Sequence, residues 1–522
     1  MQSPQRIQIM DTTLRDGEQT PDVAYTPEEK LQLARILLGE VAVDRIEIAS
    51  TRVSEGEREA VKRITDWARR KRWLNRIEIL GYCDGRTSVD WIAAAGGRVL
   101  NLLVKGSEHH CRTQLRMSPE QHRDAVTQTT RAARRKRMRF NCYLEDWSNG
   151  VRDSFDYVFA MVQHLRDHGV ERIYLADTLG IFSPADIGRY VGLMTATWPD
   201  ATFEFHAHND YGLATANCLA AVEAGARGVH TSVNGMGERT GNTSLAEVVP
   251  VLHDHSRFRT GVDESKLAAV SRLVETFTGK DLAANSPIVG RDVFTQTAGI
   301  HADGDAKGDL YASRLAPTRF GQRRRYALGK LSGKASLDHN LKTLGIALSA
   351  EDRDAVLKRV IELGDRKHTV SVEDLPYIIA DVLKRPDAQP VRVESYKVTV
   401  ATGSTPRAEV VLANGRRRAK STSQGDGGYD AFMNALRKAA KKLDLDVARL
   451  VDFRVRIPPG GRTAALVETF ITWRPDARNA ETFSTLGVDS DQLAAAVIAS
   501  EKMLNALAAR RGRRRTRART RA

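Results

Sequence analysis

His206 and His208 are the residues whose spacing most plainly allows chemistry. They close an apolar run, Thr202–His206, and lead into Asn209-Asp210. On a strand, residues two apart point to the same side, so the two imidazoles can share one cation. Asp16, in the segment Asp11-Thr12-Thr13-Leu14-Arg15-Asp16-Gly17-Glu18-Gln19, and Asn242, closing Asn234–Asn242, add oxygen donors. Such a mixed nitrogen and oxygen set suits Mn²⁺, Co²⁺, Zn²⁺ or Mg²⁺, with open positions left for a bidentate oxygen ligand. Arg15, beside Asp16, can hold an oxyanion as it develops. The structural alternatives are two unrelated histidines and an arginine that only closes an ion pair. Gly235–Asn242 has the look of a nucleotide loop, but a lone glycine pattern is weak and Glu238 stands in its middle. It is better read as a tight loop that delivers Asn242.

These residues need a scaffold that brings distant segments together. Eight short apolar runs recur through the first half: Ile7–Met10, Arg45–Ala49, Ile77–Gly81, Val99–Val104, Arg139–Leu144, Arg172–Leu175, Thr202–His206 and Gly228–Val233. Amphipathic stretches such as Pro27–Leu38, Glu57–Ala68, Ser154–His168 and Ser183–Thr197 lie between them. Thr26-Pro27 and Ser183-Pro184 place a cap and a first-turn proline at helix starts. Eight strand–helix alternations predict an α/β fold, a (β/α)8 TIM barrel over 1–258, whereas an open doubly wound sheet would have fewer strands. In a barrel the chemistry sits at the strands' C-terminal ends. There the sequence places Arg15 and Asp16, Glu47 and Ser50, Tyr143 and Glu145, Asp177 and Thr178, the histidine pair and Asn242.

After about residue 258 the rhythm changes. Residues 259–388 read as a helical linker with glycine-rich loops at Gly299–Gly308 and Gly329–Gly333, ending in the linker-like stretch Arg385–Pro390. Residues 389–508 read as an α+β domain, with strands at Val391–Thr402, Ala408–Leu412, Leu450–Ile457 and Ala465–Trp473 and helices at Asp430–Leu443 and Asp491–Ala508. Of the +15 formal net charge, eight units come from the tail Arg510–Ala522, which holds eight arginines and no acid, leaving a mildly basic body. Residues 509–522 are therefore expected to be a disordered, solvated tail, with nucleic acid not expected as a partner. No apolar run reaches the length of a membrane span, and the start lacks a signal-peptide core. The four cysteines, Cys83, Cys111, Cys142 and Cys218, form no CxxC pair and read as reduced thiols of a cytoplasmic enzyme.

The segments Asp11–Gln19, His206–Asp210, Asn234–Asn242 and His301-Ala302-Asp303-Gly304 resemble the signatures of the metal-dependent barrel family that includes isopropylmalate, homocitrate and citramalate synthases and hydroxymethylglutaryl-CoA lyase. The resemblance covers nearly all of the chain except the arginine tail. Tyr143–Gly150 and Gly425–Asp430 are similar to the citramalate synthase branch. The resemblance implies Asp16, His206, His208 and Asn242 as ligands of a divalent metal ion. It implies substrate contacts from Arg15, Leu80, Leu103, Tyr143 and Thr178, acid–base roles for Glu145 and His301, and an acetyl-CoA end near Asp303 and Tyr311. Isopropylmalate synthases carry a small serine where Tyr143 stands, so Tyr143 with Leu80 and Leu103 implies a pocket for one methyl, hence pyruvate, with 2-oxoisovalerate as the alternative. The pocket offers no cation for the distal carboxylate of 2-oxoglutarate. A lyase has no need of the last domain, which resembles the family's allosteric unit. It implies a feedback amino acid, isoleucine, at Tyr429, Asp430, Leu450, Phe453, Ile457 and Val467, and a homodimer in which the His301 segment completes the partner's site.

Overall fold

The computed structural model describes residues 5–51, 53–308, 310–365, 370, 372–383, 391–456, 467–476 and 482–519. Two compact units divide the chain: residues 1–294 with 312–324, and 295–311 with 325–522.

The first unit is built on eight strands: β1 (Gln8–Asp11), β2 (Arg45–Ser50), β3 (Ile77–Tyr82), β4 (Val99–Lys105), β5 (Arg139–Glu145), β6 (Ile173–Asp177), β7 (Phe203–Ala207) and β8 (Gly228–Thr231). They form a closed barrel in sequence order. Parallel pairing of β8 with β1, from Gln8 opposite Gly228 to Asp11 opposite Thr231, closes the ring. The strands match the eight apolar runs because a strand covered by helices on one side and by barrel interior on the other is buried on both faces. The helices start where the caps lie. Thr26, Ser118 and Ser183 each form a reciprocal capping box with the residue three positions on, followed by a first-turn proline.

This unit reaches past residue 258. The helix Leu267–Thr278 buries Leu267, Ala268, Val270 and Val274 in the core shared with the barrel. Arg319 ties residues 312–324 to the same unit through Asp254 and Glu264, at 2.8 and 2.5 Å. The change of rhythm at 258 marks the end of the strands, not of the packing.

The second unit begins with β9 (Thr295–Gln296), paired with β10 (Arg325–Tyr326). Gly299–Gly308, expected as a loop, is a helix. Gly299 is there for close packing: an added Cβ would stand 2.6 Å from the Gly333 nitrogen. Helices Lys334–Leu344, Ala350–Asp365 and Leu375–Val382 share a small core of Leu337, Val356, Val360 and Leu375. Two three-stranded antiparallel sheets follow, with the helices Gly428–Lys442 and Gln492–Arg519 against a core of Phe432, Leu436, Ile471, Trp473 and Met503. The first sheet is β11 (Val391–Thr399), β12 (Arg407–Asn414) and β13 (Arg417–Gln424). The second is β14 (Arg449–Arg456), β15 (Val467–Arg474) and β16 (Phe483–Asp489). β13 and β16 were not expected. β13 has no apolar run, and only the Asn414-Gly415 turn before it signals a hairpin. The last helix runs to Arg519, so the segment expected to be disordered from 509 is helical backbone up to that residue. Arginine and alanine are both good helix formers, and composition alone understates that. Arg385–Pro390 lies outside the described residues.

The four cysteines are free thiols, and burial pushes Cys218 up to about 12, as packing residues behave. Among the described residues no helix is long and apolar enough to cross a membrane.

Candidate metal centre and active site

Two loops and one strand end build the candidate cation site. After β1 the chain turns sharply, with the amides of Arg15, Asp16 and Gly17 all donating to the Thr12 carbonyl at 2.9–3.0 Å. Asp11 accepts from the Thr13 amide at 3.0 Å, and Thr13 Oγ1 accepts from the Val233 amide at 2.8 Å, tying this turn to the loop after β8. That second loop is folded back tightly. A Cβ on Gly241 would lie 1.8 Å from the Gly235 carbonyl oxygen, and one on Gly237 2.4 Å from Asn242 Nδ2. Both have positive φ, 84° and 153°, open to glycine at no steric cost. The loop sets Asn242 in a bridge with His208, and the glycines thus serve the amide rather than a phosphate.

Asp16, His206 and His208 offer ligand atoms that all lie within 4.8 Å of one another. His206 Nε2 is 3.2 Å from Asp16 Oδ2. All four expected ligands are buried, with Asp16 2 %, His206 4 %, His208 7 % and Asn242 2 % exposed. Asn242 donates through Nδ2 to the Met236 carbonyl at 2.9 Å, which leaves its Oδ1 buried without a hydrogen-bond partner. A cluster of two imidazoles and a carboxylate, with a buried orphan oxygen on the residue bridged to His208, fits a divalent cation. Burial would raise Asp16, but Arg15 and His206 outweigh it and hold the carboxyl well below its usual range. Burial and His206 bring His208 down to about 4, so its imidazole is neutral, as a ligand must be.

Arg15 does form ion pairs, with Asp16 at 3.2 Å and Glu47 at 2.6 Å. They aim it into the barrel mouth. Glu47, fully buried on β2, accepts from Arg15 Nε at 2.6 Å and from Asn101 Nδ2 at 2.7 Å. Arg15 also donates to the Tyr143 hydroxyl at 3.3 Å. Tyr143 packs in one cluster with Leu80, Met10, Tyr174 and Ala176, with Leu103 against it. The three expected pocket residues are therefore together, and the Tyr143 ring stands edge-on to His206 at 5.6 Å.

Below this layer lies a buried charged floor. Arg45 bridges Glu78 at 2.6 Å and Glu204 at 2.5 Å, and Tyr174 donates to Glu78 at 2.8 Å. Burial would raise Glu204, but Arg45 and His230 bring it down to about 2. Burial takes His230 down to about 3. Glu47 was expected at the barrel rim, but its hold on Arg15 was not, and Asn101, Arg45, Glu78, Glu204 and His230 have no counterpart among the expected site residues. Their signal was nonetheless present: charged or polar residues at alternate positions of otherwise apolar strands, as in Arg45-Ile46-Glu47-Ile48 and Phe203-Glu204-Phe205.

Glu145 ends β5 and is ion-paired with Lys105, its register partner at the end of β4. Thr178 accepts from the Asp146 amide at 2.8 Å, and its carbonyl takes a bond from Arg239, which also pairs with Asp210 at 2.8 Å. The loops after β5 to β8 are thereby laced together at the rim.

His301, Asp303 and Tyr311 belong to the second unit, where the His301 and Tyr311 rings are tilted 46° to one another with centroids 4.3 Å apart and Asp303 pairs with Lys307 at 2.6 Å. Of the effector residues, Tyr429 and Phe453 have ring centroids 5.0 Å apart, and Tyr429 bonds Ser500 Oγ at 2.8 Å. Asp430 accepts from Asp426 and Asn434 within its own turn. Val467 is buried and Leu450 is 40 % exposed. Ile457 lies outside the described residues.

Residues 6–274 match the HMGL-like family, 288–368 the homocitrate synthase post-HMGL domain-like family, and 369–508 the LeuA allosteric (dimerisation) domain. The chain belongs to the HMGL-like family, among the acetyl-CoA-condensing synthases. It is 34% identical to the (R)-citramalate synthase CimA of Methanocaldococcus jannaschii, over 96% of this chain and 99% of that one. It is 33% identical to the 2-isopropylmalate synthase of the same organism, over 97% and 96%. A solved hydroxymethylglutaryl-CoA lyase from Pseudomonas aeruginosa is 21% identical, with a TM-score of 0.49, and covers 56% of this chain and 99% of its own.

Proposed function

We propose that this chain condenses acetyl-CoA with pyruvate, giving (R)-citramalate and CoA. The observation that carries the choice of acceptor is Tyr143, packed with Leu80 and Leu103 beside the histidine pair, where it fills the space a branched side chain would need. A single methylene is worth about 1–3 kcal/mol in such a pocket, and an isopropyl group that clashes costs more.

Asp16, His206, His208 and Asn242 are the residues that would hold the cation. Bound there, a divalent ion supplies Lewis acidity toward the keto group of a chelating 2-oxo acid. Arg15, fixed by Glu47, donates to the alkoxide that forms when the acetyl methyl carbon bonds to the keto carbon. Glu145 takes the methyl proton, with His301 acting through water. Water then cleaves the thioester and CoA leaves with its thiol restored. The His301 segment serves the partner subunit's site in a homodimer. The LeuA-type domain takes isoleucine as feedback ligand at Tyr429 and Phe453. Four free thiols suit the cytoplasm.

The second reading is 2-isopropylmalate synthesis from 2-oxoisovalerate, which the similarity to relatives of that name supports equally. A thiol-release assay with acetyl-CoA and each acid decides between them. Higher kcat/KM with pyruvate is expected, and preference for 2-oxoisovalerate overturns the proposal.

A further inference from the structure

The Tyr143 hydroxyl has three polar neighbours: Arg15 Nη2 at 3.3 Å, Glu47 Oε2 at 3.2 Å and His230 Nδ1 at 3.2 Å. It has one proton to give. Arg15 can only donate, so it uses an oxygen lone pair. Glu47 Oε2 already accepts from Arg15 Nε at 2.6 Å and is ion-paired with Arg15 Nη2, also at 2.6 Å. On the far side, His230 Nε2 stands 3.2 Å from Glu204 Oε2. An ionised carboxylate only accepts, so Nε2 carries the hydrogen and Nδ1 is left as an acceptor facing Tyr143. Glu204 is itself held by Arg45 at 2.5 Å and Arg172 at 3.1 Å, which keeps it charged within the barrel. The aromatic contacts run the same way. The His230 ring stands edge-on to Tyr174 at 4.4 Å, to Tyr143 at 5.5 Å and to His206 at 5.4 Å.

We propose that His230, seated on Glu204, is a positioning residue that anchors the Tyr143 ring in the acyl-acceptor pocket and so sets which 2-oxo acids fit. The proposal rests on the reading that Tyr143 abuts the acceptor's side chain. Without the Nδ1 acceptor the tyrosine proton turns to Glu47, in competition with Arg15, and the ring loses its fixed place at the pocket wall.

The test uses the full chain with divalent metal and acetyl-CoA, and measures kcat and KM separately for pyruvate and for 2-oxobutanoate, one methylene larger. His230→Leu is expected to lower the kcat/KM preference for pyruvate about five- to tenfold, the worth of one intramolecular hydrogen bond, mainly through KM. His230→Asn, which can still accept from the hydroxyl, is expected to recover most of it. Tyr143→Phe removes the same bond from the other end and is expected to reproduce the shift, which keeps the test open should the leucine variant fail to fold. In a Tyr143→Ala background, His230→Leu should add nothing. An unchanged preference in both His230→Leu and Tyr143→Phe, with Tyr143→Ala shifting it, overturns the positioning role alone. A wild-type preference in Tyr143→Ala overturns the pocket reading and this proposal with it.

Discussion

Glu47→Gln is the perturbation that most directly tests how the site is held. Glu47 is fully buried, and both of its oxygens are committed: Oε2 to the Arg15 guanidinium at 2.6 Å, and Oε1 to Asn101 Nδ2 at 2.7 Å. A glutamine has one acceptor oxygen, so its NH2 must face either the guanidinium or the asparagine amide, a donor against a donor. Arg15 keeps only Asp16, at 3.2 Å, as an anionic partner. Breaking a buried ion pair from one side costs about 3–5 kcal/mol. At about 2–4 °C per kcal/mol for a domain of this size, the barrel should melt about 6–20 °C lower. Turnover should fall about 10²–10³-fold, the usual loss when an oxyanion donor is misplaced. Because Asp16, His206, His208 and Asn242 are untouched, Mn²⁺ affinity by titration calorimetry should stay within about tenfold of wild type, against a barrel that melts early and turns over slowly. A Glu47→Gln enzyme with wild-type turnover and an unchanged melting temperature would refute the idea that Glu47 aims Arg15.

Four further outcomes are expected. Burial raises Asp11 to about 7, above its unfolded value of about 3.9. Its native proton therefore favours folding at low pH, and that contribution is lost as pH rises through 7. Between pH 5 and 8 the wild type should lose on the order of 2 kcal/mol that Asp11→Asn does not, seen as a pH-dependent gap in melting temperature. Chelation should abolish activity and lower the melting temperature, and refilling with Mn²⁺, Co²⁺, Zn²⁺ or Mg²⁺ to 100 times Kd should return about 2.7 kcal/mol; no thermal shift on refilling would count against the four-ligand site. Mixing Asp16→Asn with His301→Ala protein should restore part of the activity that each lacks alone, and no restoration removes completion by the partner. Lys30, 1 % exposed, donates to the Leu14 and Ile48 carbonyls at 2.9 and 3.3 Å and pairs with Glu18 and Glu57 at 2.6 and 2.7 Å. Lys30→Met should cost about 3–5 kcal/mol of barrel stability in thermal denaturation, and a loss below about 1 kcal/mol would show the cluster to be dispensable.

The barrel was legible because its cause is local. A strand buried on both faces is apolar over most of its length, and the helices between must be amphipathic, so eight repeats announce the topology before any contact is known. The second unit was less so. Gly299–Gly308 reads as a loop by composition, yet it is a helix, and Gly299 is needed where two backbones meet, at Gly333. β13, Arg-Arg-Ala-Lys-Ser-Thr-Ser-Gln, is a strand because β12 pairs with it through eight register positions, not because of its own side chains.

The same division holds at the site. Residue types and short spacings sufficed to pick out the candidate cation cluster: two histidines two apart at the end of a strand, an aspartate in the turn after another and an amide in a glycine-bent loop. Those are properties of a few consecutive residues and survive in a linear reading. The orientation of Arg15 by Glu47, the pairing of Glu145 with Lys105, and the line from Tyr143 through His230 to Glu204 join residues 26 to 87 positions apart. Nothing local demands them. They exist because closing the ring points alternate side chains of neighbouring strands into one small interior, where a charge left without a partner would cost several kcal/mol and so each polar group is driven to find another.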